Sequence, residues 1–153
     1  MNYNSKPDTI EHINQVNKLI ASICISLMER AKTHDKSKLE SPEKEIFDKF
    51  TPQLATSTYG SKEYKQFLKE MKIALDHHYS NNRHHPEYFS KGIVDMTLVD
   101  LIEMLCDWKA ATLRHKDGNI YKSIEINSKR FGYSNELKQI FLNTIKEYFK
   151  EKK

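Results

Sequence analysis

The chain has 153 residues, of which 38% are hydrophobic and 30% charged, and its formal net charge is +4. This length fits one domain with its own core, and the composition excludes a long disordered tail. No segment approaches the roughly 20 uninterrupted apolar residues that a membrane span needs, and the amino terminus lacks the apolar central region of a secretory signal. We therefore predict a single cytoplasmic domain over residues 1–153.

Charge and cysteine content favour neither nucleic-acid binding nor a disulfide framework. Four lysines lie in residues 146–153, where the end of a helix accommodates cations. No basic stripe is interleaved with aromatic residues, so the charge gives little support to a nucleic-acid partner. Cys24 and Cys106 lie far apart in apolar helical patterns, which indicates reduced core residues.

The chain has only four glycines and four prolines and no alternating runs of β-branched residues, so we expect an all-α bundle of about six helices. Capping residues and prolines set the expected boundaries. The predicted helices extend from Asp8 to about Thr33, from Ser41 to Thr51, from Ser61 to about His78, from Thr97 to about His115, from about residue 119 to Arg130 and from Ser134 to about residue 150. Residues 54–60 and 80–92 are predicted loops.

Six of the seven histidines fall into a few clusters, and histidine with carboxylate is a ligand set for divalent metals. His12 lies at the edge of the apolar stripe of the first predicted helix, and His34 precedes Asp35 just after that helix. The other clusters are the adjacent pairs His77–His78 and His84–His85. Adjacent histidines point about 100° apart on a helix, so both reach one centre only near its end. The alternative is that His12 is a boundary residue and His78 a hydrogen-bonded core residue.

The helix predicted over residues 97–115 supplies a further carboxylate. Asp100 and Asp107 share one of its faces, next to an apolar stripe that consists of Leu98, Leu101, Ile102, Leu105 and Trp108. An aspartate among apolar residues is costly to bury unless it is paired or binds a metal, which favours Asp107 as a ligand. Asp100 is explained by the helix start, where a negative charge meets the amino-terminal dipole.

The order of these motifs resembles that of the HD-domain superfamily of metal-dependent phosphohydrolases. The resemblance covers residues 12 to about 115 and rests on HINQV (12–16), HDKSKL (34–39), LDHHY (75–79) and LCDWKAATLRH (105–115). The paired histidines are similar to those of the HD-GYP branch, whose Gly-Tyr-Pro loop is absent here. In its place stands NNRHHPEYFSKGI (81–93), and the combination of HD, HH and HHPE elements is also similar to small phage and bacterial proteins.

The resemblance implies a ligand set for one or two divalent ions, drawn from Mn, Co, Mg, Zn and Fe. It implies a first metal position built by His12, His34, Asp35 and Asp107, and a second position completed by His77 and His78, with His84 or His85 able to replace one ligand. It also implies that Asp35 bridges two ions and that Lys38 contacts the scissile phosphate. Arg83 and Arg114 are then further substrate contacts.

The HHPE segment, residues 84–87, admits two interpretations. Hinged between residues 81–82 and Gly92, it could close over the metal centre and supply His85 as a general acid or as a further ligand. The alternative is a solvated loop whose histidines contribute only polarity.

The resemblance implies an HD-like fold with a motif-bearing core over about residues 8–115, on which helices from residues 119–150 pack. The function that it implies is hydrolysis of a small phosphorylated substrate, either a nucleotide or a cyclic nucleotide. Two alternatives remain open, an HD-like di-iron oxygenase and a non-catalytic binding or inhibitor module. The sequence leaves the oligomeric state open.

Overall fold

The computed structural model describes residues 3–58, 61–114 and 118–149. These ranges contain seven α-helices and no strand, which confirms the all-α prediction for them. The helices are α1 (Lys6–Thr33), α2 (Glu43–Thr56), α3 (Lys62–Glu70), α4 (Lys72–Asn81), α5 (Leu98–Thr112), α6 (Ile120–Phe131) and α7 (Asn135–Tyr148). Three short 3-10 turns are formed by Lys36–Leu39, Pro86–Tyr88 and Gly92–Asp95.

The chain divides into two compact units, Met1–His34 and Asp35–Lys153. The first unit is built on α1, a helix of 28 residues. Its length is explained by the absence of glycine and proline after Pro7, and its ends carry Asp8 and Lys32, whose charges suit the helix dipole. The prediction of one domain over residues 1–153 stays a prediction. None of the described helices has the length and apolarity that crossing a membrane requires.

The second unit has two halves that differ in their buried side chains. In the histidine half, residues 35–96, α2 packs against α4 and against the turn Lys36–Leu39, and α3 packs against both helices. In the apolar half, residues 98–149, α6 packs against α5 and against α7. The core of the apolar half consists of Met104, Leu105, Ile120, Ile124, Tyr133, Phe141 and Ile145. The ring of Trp108 lies against this core, with its centroid 6.0 Å from that of Phe141.

The caps predicted at Thr97 and Ser134 are confirmed, whereas α1 already begins at Lys6, before Asp8, and Pro42 instead of Ser41 precedes the first residue of α2. The side chains of Ser61, Thr97 and Ser134 each accept a hydrogen bond from the backbone of the first helical turn. Thr97 and Asp100 form a complete capping box, in which each side chain bonds the backbone of the other residue.

Two predicted boundaries are wrong. Helix α2 continues through Pro52 to Thr56, because Phe50 is buried beside the proline and packs against the ring of Phe67, and this packing offsets the cost of the proline. The helix predicted from Ser61 to about His78 is divided at Met71, which is completely buried at the corner between α3 and α4. The described ranges therefore contain seven α-helices instead of about six.

Helix α5 is also rotated relative to the predicted apolar stripe. Leu105 is buried as expected, but Leu98 is 73% exposed and Ile102 is exposed as well. The face that carries Asp100 and Glu103 is instead turned inward. This rotation brings carboxylates of α5 toward the histidines of the second unit.

Candidate metal centre

Asp35 begins the second unit in a left-handed backbone conformation, with φ of 56° and ψ of 14°. Aspartate tolerates this region better than most residues, because its short side chain bonds locally. The turn Lys36–Leu39 follows at once, and Lys38 Nζ donates to Asp35 Oδ2 at 2.6 Å. The local backbone therefore leaves the second carboxylate oxygen, Oδ1, to face the histidines.

Two histidines face that oxygen, and a third contacts one of them. Asp35 Oδ1 lies 3.3 Å from His78 Nε2 and 3.4 Å from His84 Nε2, and His78 Nε2 lies 2.9 Å from His85 Nε2. Four ligand atoms, one from each of these residues, all lie within 4.8 Å of one another. His78 comes from α4, whereas His84 and His85 come from the segment that precedes the turn Pro86–Tyr88.

These distances fit a bound divalent ion. Two ligands that each lie about 2.0–2.1 Å from one ion are about 2.9–3.4 Å apart at octahedral to tetrahedral angles. The three measured separations lie within that range. Three imidazoles with one carboxylate are also a donor set that borderline metals such as zinc, iron, cobalt and manganese prefer. The residues present therefore fit the divalent metal that the resemblance implied.

A buried carboxylate lies behind each of two candidate ligands. His78 Nδ1 lies 2.8 Å from Glu43 Oε2, and His84 Nδ1 lies 3.2 Å from Glu103 Oε1. Glu43 is the first residue of α2 and is completely buried. Carboxylates in this position keep the proton on Nδ1 and turn Nε2 toward the metal, which is the usual arrangement of metal-binding histidines.

The electrostatics of the cluster favour the forms that bind metal. Burial alone would raise the pKa of the Asp35 carboxyl, but the adjacent imidazoles of His78 and His84 and the charge of Lys38 hold that pKa far below its usual range. Burial, followed by the charges of His84 and His78, lowers the pKa of His85 to about 3. Near neutral pH, Asp35 is therefore an anion and His85 a neutral imidazole.

Two ion pairs fix the segment that carries His84 and His85. On one side, Arg83 Nε and Nη2 donate to Asp100 Oδ1 and Oδ2 at 3.1 and 3.0 Å. On the other side, Arg130 Nη2 donates to Glu87 Oε1 at 2.6 Å. His84 itself is buried, which contradicts the solvated-loop interpretation of the HHPE segment.

Two of the predicted ligands belong to the first unit. His12 is an exposed residue of α1, and His34 is half-buried at the carboxyl end of that helix. The predicted first metal position combines these residues with Asp35 and Asp107 of the second unit, and it stays a prediction.

The remaining predicted ligands have different surroundings. An Asp107 carboxylate oxygen lies within 4.8 Å of one from Asp35, and the choice of Asp107 over Asp100 as a ligand stays a prediction. His78 belongs to the four-residue cluster described above, but His77 does not. His77 Nδ1 instead lies 2.7 Å from Glu43 Oε1.

The predicted substrate contacts also differ from one another. Lys38 lies beside Asp35, and its side chain is 32% exposed. Arg83 is bound by Asp100, and its guanidinium packs over the rings of Tyr88 and Phe89. Arg114 is an exposed residue that follows α5. Their contacts with substrate stay predictions.

Sequence reasoning missed Glu43 and Glu103. Glu43 opens a helix, where an acidic residue is already explained by the dipole. Glu103 lies four residues before Asp107, a spacing that places both on one helical face, and this was the available signal.

Comparison with known proteins gives a family but no function. No curated protein and no solved structure matches the chain. The model of one family matches residues 1–151, and the chain therefore belongs to that family, which is described as a family of unknown function (DUF5662).

Proposed function

We propose that this chain is an HD-type, metal-dependent phosphohydrolase that acts on a small phosphorylated substrate, such as a nucleotide or a cyclic nucleotide. The observation that carries the proposal is the convergence of Asp35, His78, His84 and His85 at separations suited to one ion. The carboxylates behind His78 and His84 support it, because metal-binding histidines almost always donate their other ring nitrogen to such a group.

The donor set favours zinc, iron, cobalt or manganese over magnesium, which prefers oxygen ligands. When bound, such an ion lowers the pKa of a water molecule to roughly 7 and neutralises charge that develops on a phosphoryl oxygen. Asp35 supplies the anionic ligand, and the three histidines supply neutral nitrogens. Asp107 lies close enough to Asp35 to extend the ligand set.

Lys38 is the residue that favours a phosphorylated substrate. Its ammonium lies beside the cluster and remains partly exposed, so it can contact an anion that approaches from solvent. The ring of Phe47, whose centroid lies 5.2 Å from Lys38 Nζ, limits the positions of that ammonium. We therefore assign Lys38 to binding the phosphate and Arg114 to a more distant contact. A cytoplasmic location remains part of the proposal.

The first test is the metal content and activity of protein purified without chelators. We expect about one or two equivalents of zinc, iron, cobalt or manganese by elemental analysis, and hydrolysis of at least one member of a panel of nucleotides and phosphodiesters. Asp35→Asn should lose both. Two irons with redox-dependent spectra and no hydrolysis would instead indicate the oxygenase, and bound metal without any turnover would indicate a binding module.

The second test concerns Lys38. Lys38→Ala should retain the metal and lower kcat/KM by about 10- to 100-fold, the loss expected for one charge-assisted hydrogen bond to phosphate. The matched control is Lys36→Ala, an exposed lysine of the same turn, which should behave as wild type. Equal effects of the two substitutions would exclude a specific role for Lys38.

A further inference from the structure

The carboxylate of Glu43 lies between the two histidines of the adjacent pair. Its Oε1 lies 2.7 Å from His77 Nδ1, and its Oε2 lies 2.8 Å from His78 Nδ1. Ser37 Oγ donates to Oε2 as well, at 3.1 Å. An ionised carboxylate only accepts hydrogen bonds, so both ring nitrogens must donate. Both rings therefore carry their proton on Nδ1.

The neighbouring amide is consistent with this assignment. Asn82 Nδ2 donates to Ser37 Oγ at 2.8 Å and to the backbone oxygen of His78 at 2.8 Å. Asn82 Nδ2 also lies 3.0 Å from His78 Nδ1, but the two bonds already use both of its hydrogens, so this contact does not require a bare nitrogen on the ring. Glu43 Oε2, at 2.8 Å, is the nearer and the charged acceptor for His78 Nδ1, since Ser37 Oγ lies 3.2 Å away and directs its own hydrogen at Glu43.

The two histidines nevertheless differ in their surroundings. The side chain of His78 is 2% exposed, and its Nε2 faces Asp35 and His85. The side chain of His77 is 40% exposed, and it belongs to none of the described groups of potential ligands. Adjacent positions on α4 point about 100° apart, which explains why only one ring reaches the cluster.

We infer that Glu43 is a positioning residue that fixes His78 as a metal ligand, and that His77 completes the hydrogen bonding of Glu43 instead of binding metal. This inference rests on the proposed metal centre. It departs from the expectation that both histidines of the pair are ligands. With the proton of His78 kept on Nδ1, the lone pair of Nε2 is directed at the cluster.

The role requires a carboxylate. The amide of a Glu43→Gln variant offers one acceptor oxygen and one donor nitrogen, so it accepts from only one of the two rings. The other ring must then change tautomer or turn away. If that ring is His78, its Nε2 acquires the proton and no longer ligates. We expect metal affinity to fall by about 10- to 100-fold, as is typical when such supporting groups are removed.

The experiment has two independent measurements. The first is the tautomer of each histidine in metal-free protein, read from nitrogen-15 chemical shifts at about pH 8, where ordinary histidines are neutral. Wild type should show the proton on Nδ1 in His77 and His78, and Glu43→Gln should lose this form in at least one ring. The control is Glu45→Gln, an exposed glutamate of the same helix, which should match wild type.

The second measurement is zinc affinity, by competition with a chromophoric chelator. His78→Ala should weaken zinc binding at least about tenfold more than His77→Ala, because only the former removes a ligand. Equal losses in these two variants would make His77 a ligand and overturn the inference. It would also be overturned if Glu43→Gln kept both the wild-type tautomers and the wild-type zinc affinity.

The outcomes separate this inference from the proposed function. If Glu43→Gln fails to fold, the wild-type tautomers and the two histidine variants still decide the matter. If wild type binds no zinc, cobalt, iron or manganese, the proposed function fails and with it the ligand role of His78. A proton on Nε2 of His78 in wild type would refute the positioning role even if the protein binds metal and is active.

Discussion

The histidine half and the apolar half of the second unit are stabilised in different ways. In the apolar half, seven apolar or aromatic residues form one buried cluster, and area removed from water stabilises it by about 25 cal/mol per Å² without any ligand. In the histidine half, the buried groups include Glu43, His78 and His84, which are costly to bury unless their polar atoms are satisfied. We therefore expect the ion of the proposed metal centre to stabilise the histidine half, whereas the apolar cluster needs no ligand.

Helix α5 belongs to the apolar half but also contacts residues of the histidine half. Met104 and Leu105 belong to the apolar cluster, whereas Glu103 bonds His84 and Asp100 bonds Arg83. A substitution on one face of α5 therefore tests the contacts of one half, and the unchanged contacts of the other face serve as an internal control.

The largest effect is expected in the apolar half. Phe141→Ala removes a buried ring that packs edge-on against Trp108 and Tyr133, so the free energy of unfolding should fall by about 3–5 kcal/mol. Chemical denaturation measures this change, and Phe141→Leu should cost distinctly less. Folded protein should keep wild-type zinc affinity. A parallel loss of zinc affinity would show that the two halves are coupled and would break the comparison.

The next effect is expected in the histidine half. His84→Ala removes a buried candidate ligand and leaves Glu103 without that partner, so zinc affinity should fall by more than the roughly 10- to 100-fold typical of supporting residues. Thermal unfolding with and without chelator gives a second measurement. Chelator should lower the Tm of wild type and of the control Ser90→Ala, but have little effect on His84→Ala. Equal sensitivity to chelator in all three proteins would contradict the assignment.

Loss of the ion pair between Asp100 and Arg83 should lower the free energy of unfolding by an intermediate amount. Asp100→Asn should cost about 1–3 kcal/mol, more than the loss of a helix-start charge alone, because the carboxylate is buried and accepts from Arg83 and Thr97. The figure is not larger, since the Arg83 side chain is 40% exposed and water can solvate its guanidinium. Zinc affinity should fall less than in His84→Ala.

The Asp100 carboxylate also makes the free energy of unfolding depend on pH. Burial would raise the pKa of Asp100, but hydrogen bonds from Arg83 and Thr97 outweigh it and lower that pKa below its usual value. A lowered pKa in the folded state stabilises the protein above the unfolded pKa, about 3.9, and this stabilisation is lost as pH falls through the folded value. Asp100→Asn should therefore reduce the loss of stability in acid. An unchanged acid profile would show that the ion pair contributes little.

The sequence predicted the features of the fold that depend on interactions between residues close together in the chain. The all-α fold and the caps at Thr97 and Ser134 follow from short-range hydrogen bonds that a sequence shows directly. The division at Met71 does not, because its neighbours are ordinary helix formers and the break depends on burial between α3 and α4. The prediction that α2 ends before Pro52 was wrong for the same reason, because packing of Phe50 keeps the chain helical through the proline.

Prediction of the site residues was limited in the same way, because contacts between distant parts of the chain are not visible in the sequence. His78 was predicted from its pair and Asp107 from its apolar neighbours, and the structure brings both residues close to Asp35. Glu43 could not be predicted, since its partner His78 lies 35 positions away. The burial of His84 also depends on distant contacts, because Arg83 and Glu87 on either side of it pair with residues of α5 and α6.

The smallest change in stability is expected from a substitution in the apolar half. Tyr133 Oη donates to the backbone oxygen of Ile124 at 2.7 Å, and burial, with the nearby charge of Glu125, raises the pKa of Tyr133 to about 12. The folded state therefore keeps this proton over a range in which the unfolded chain, with a pKa of about 10, has lost it. The resulting stabilisation is complete below about pH 10 and disappears as pH rises toward 12.

Tyr133→Phe should cost about 1 kcal/mol at neutral pH through the lost hydrogen bond, and it should flatten the decline of stability in alkali. The control is Tyr121→Phe on the exposed side of α6, which should leave both quantities unchanged. Because Tyr133 belongs to the apolar cluster, zinc affinity should also stay at the wild-type value, and a drop in that affinity would show that the apolar half helps to hold the metal centre.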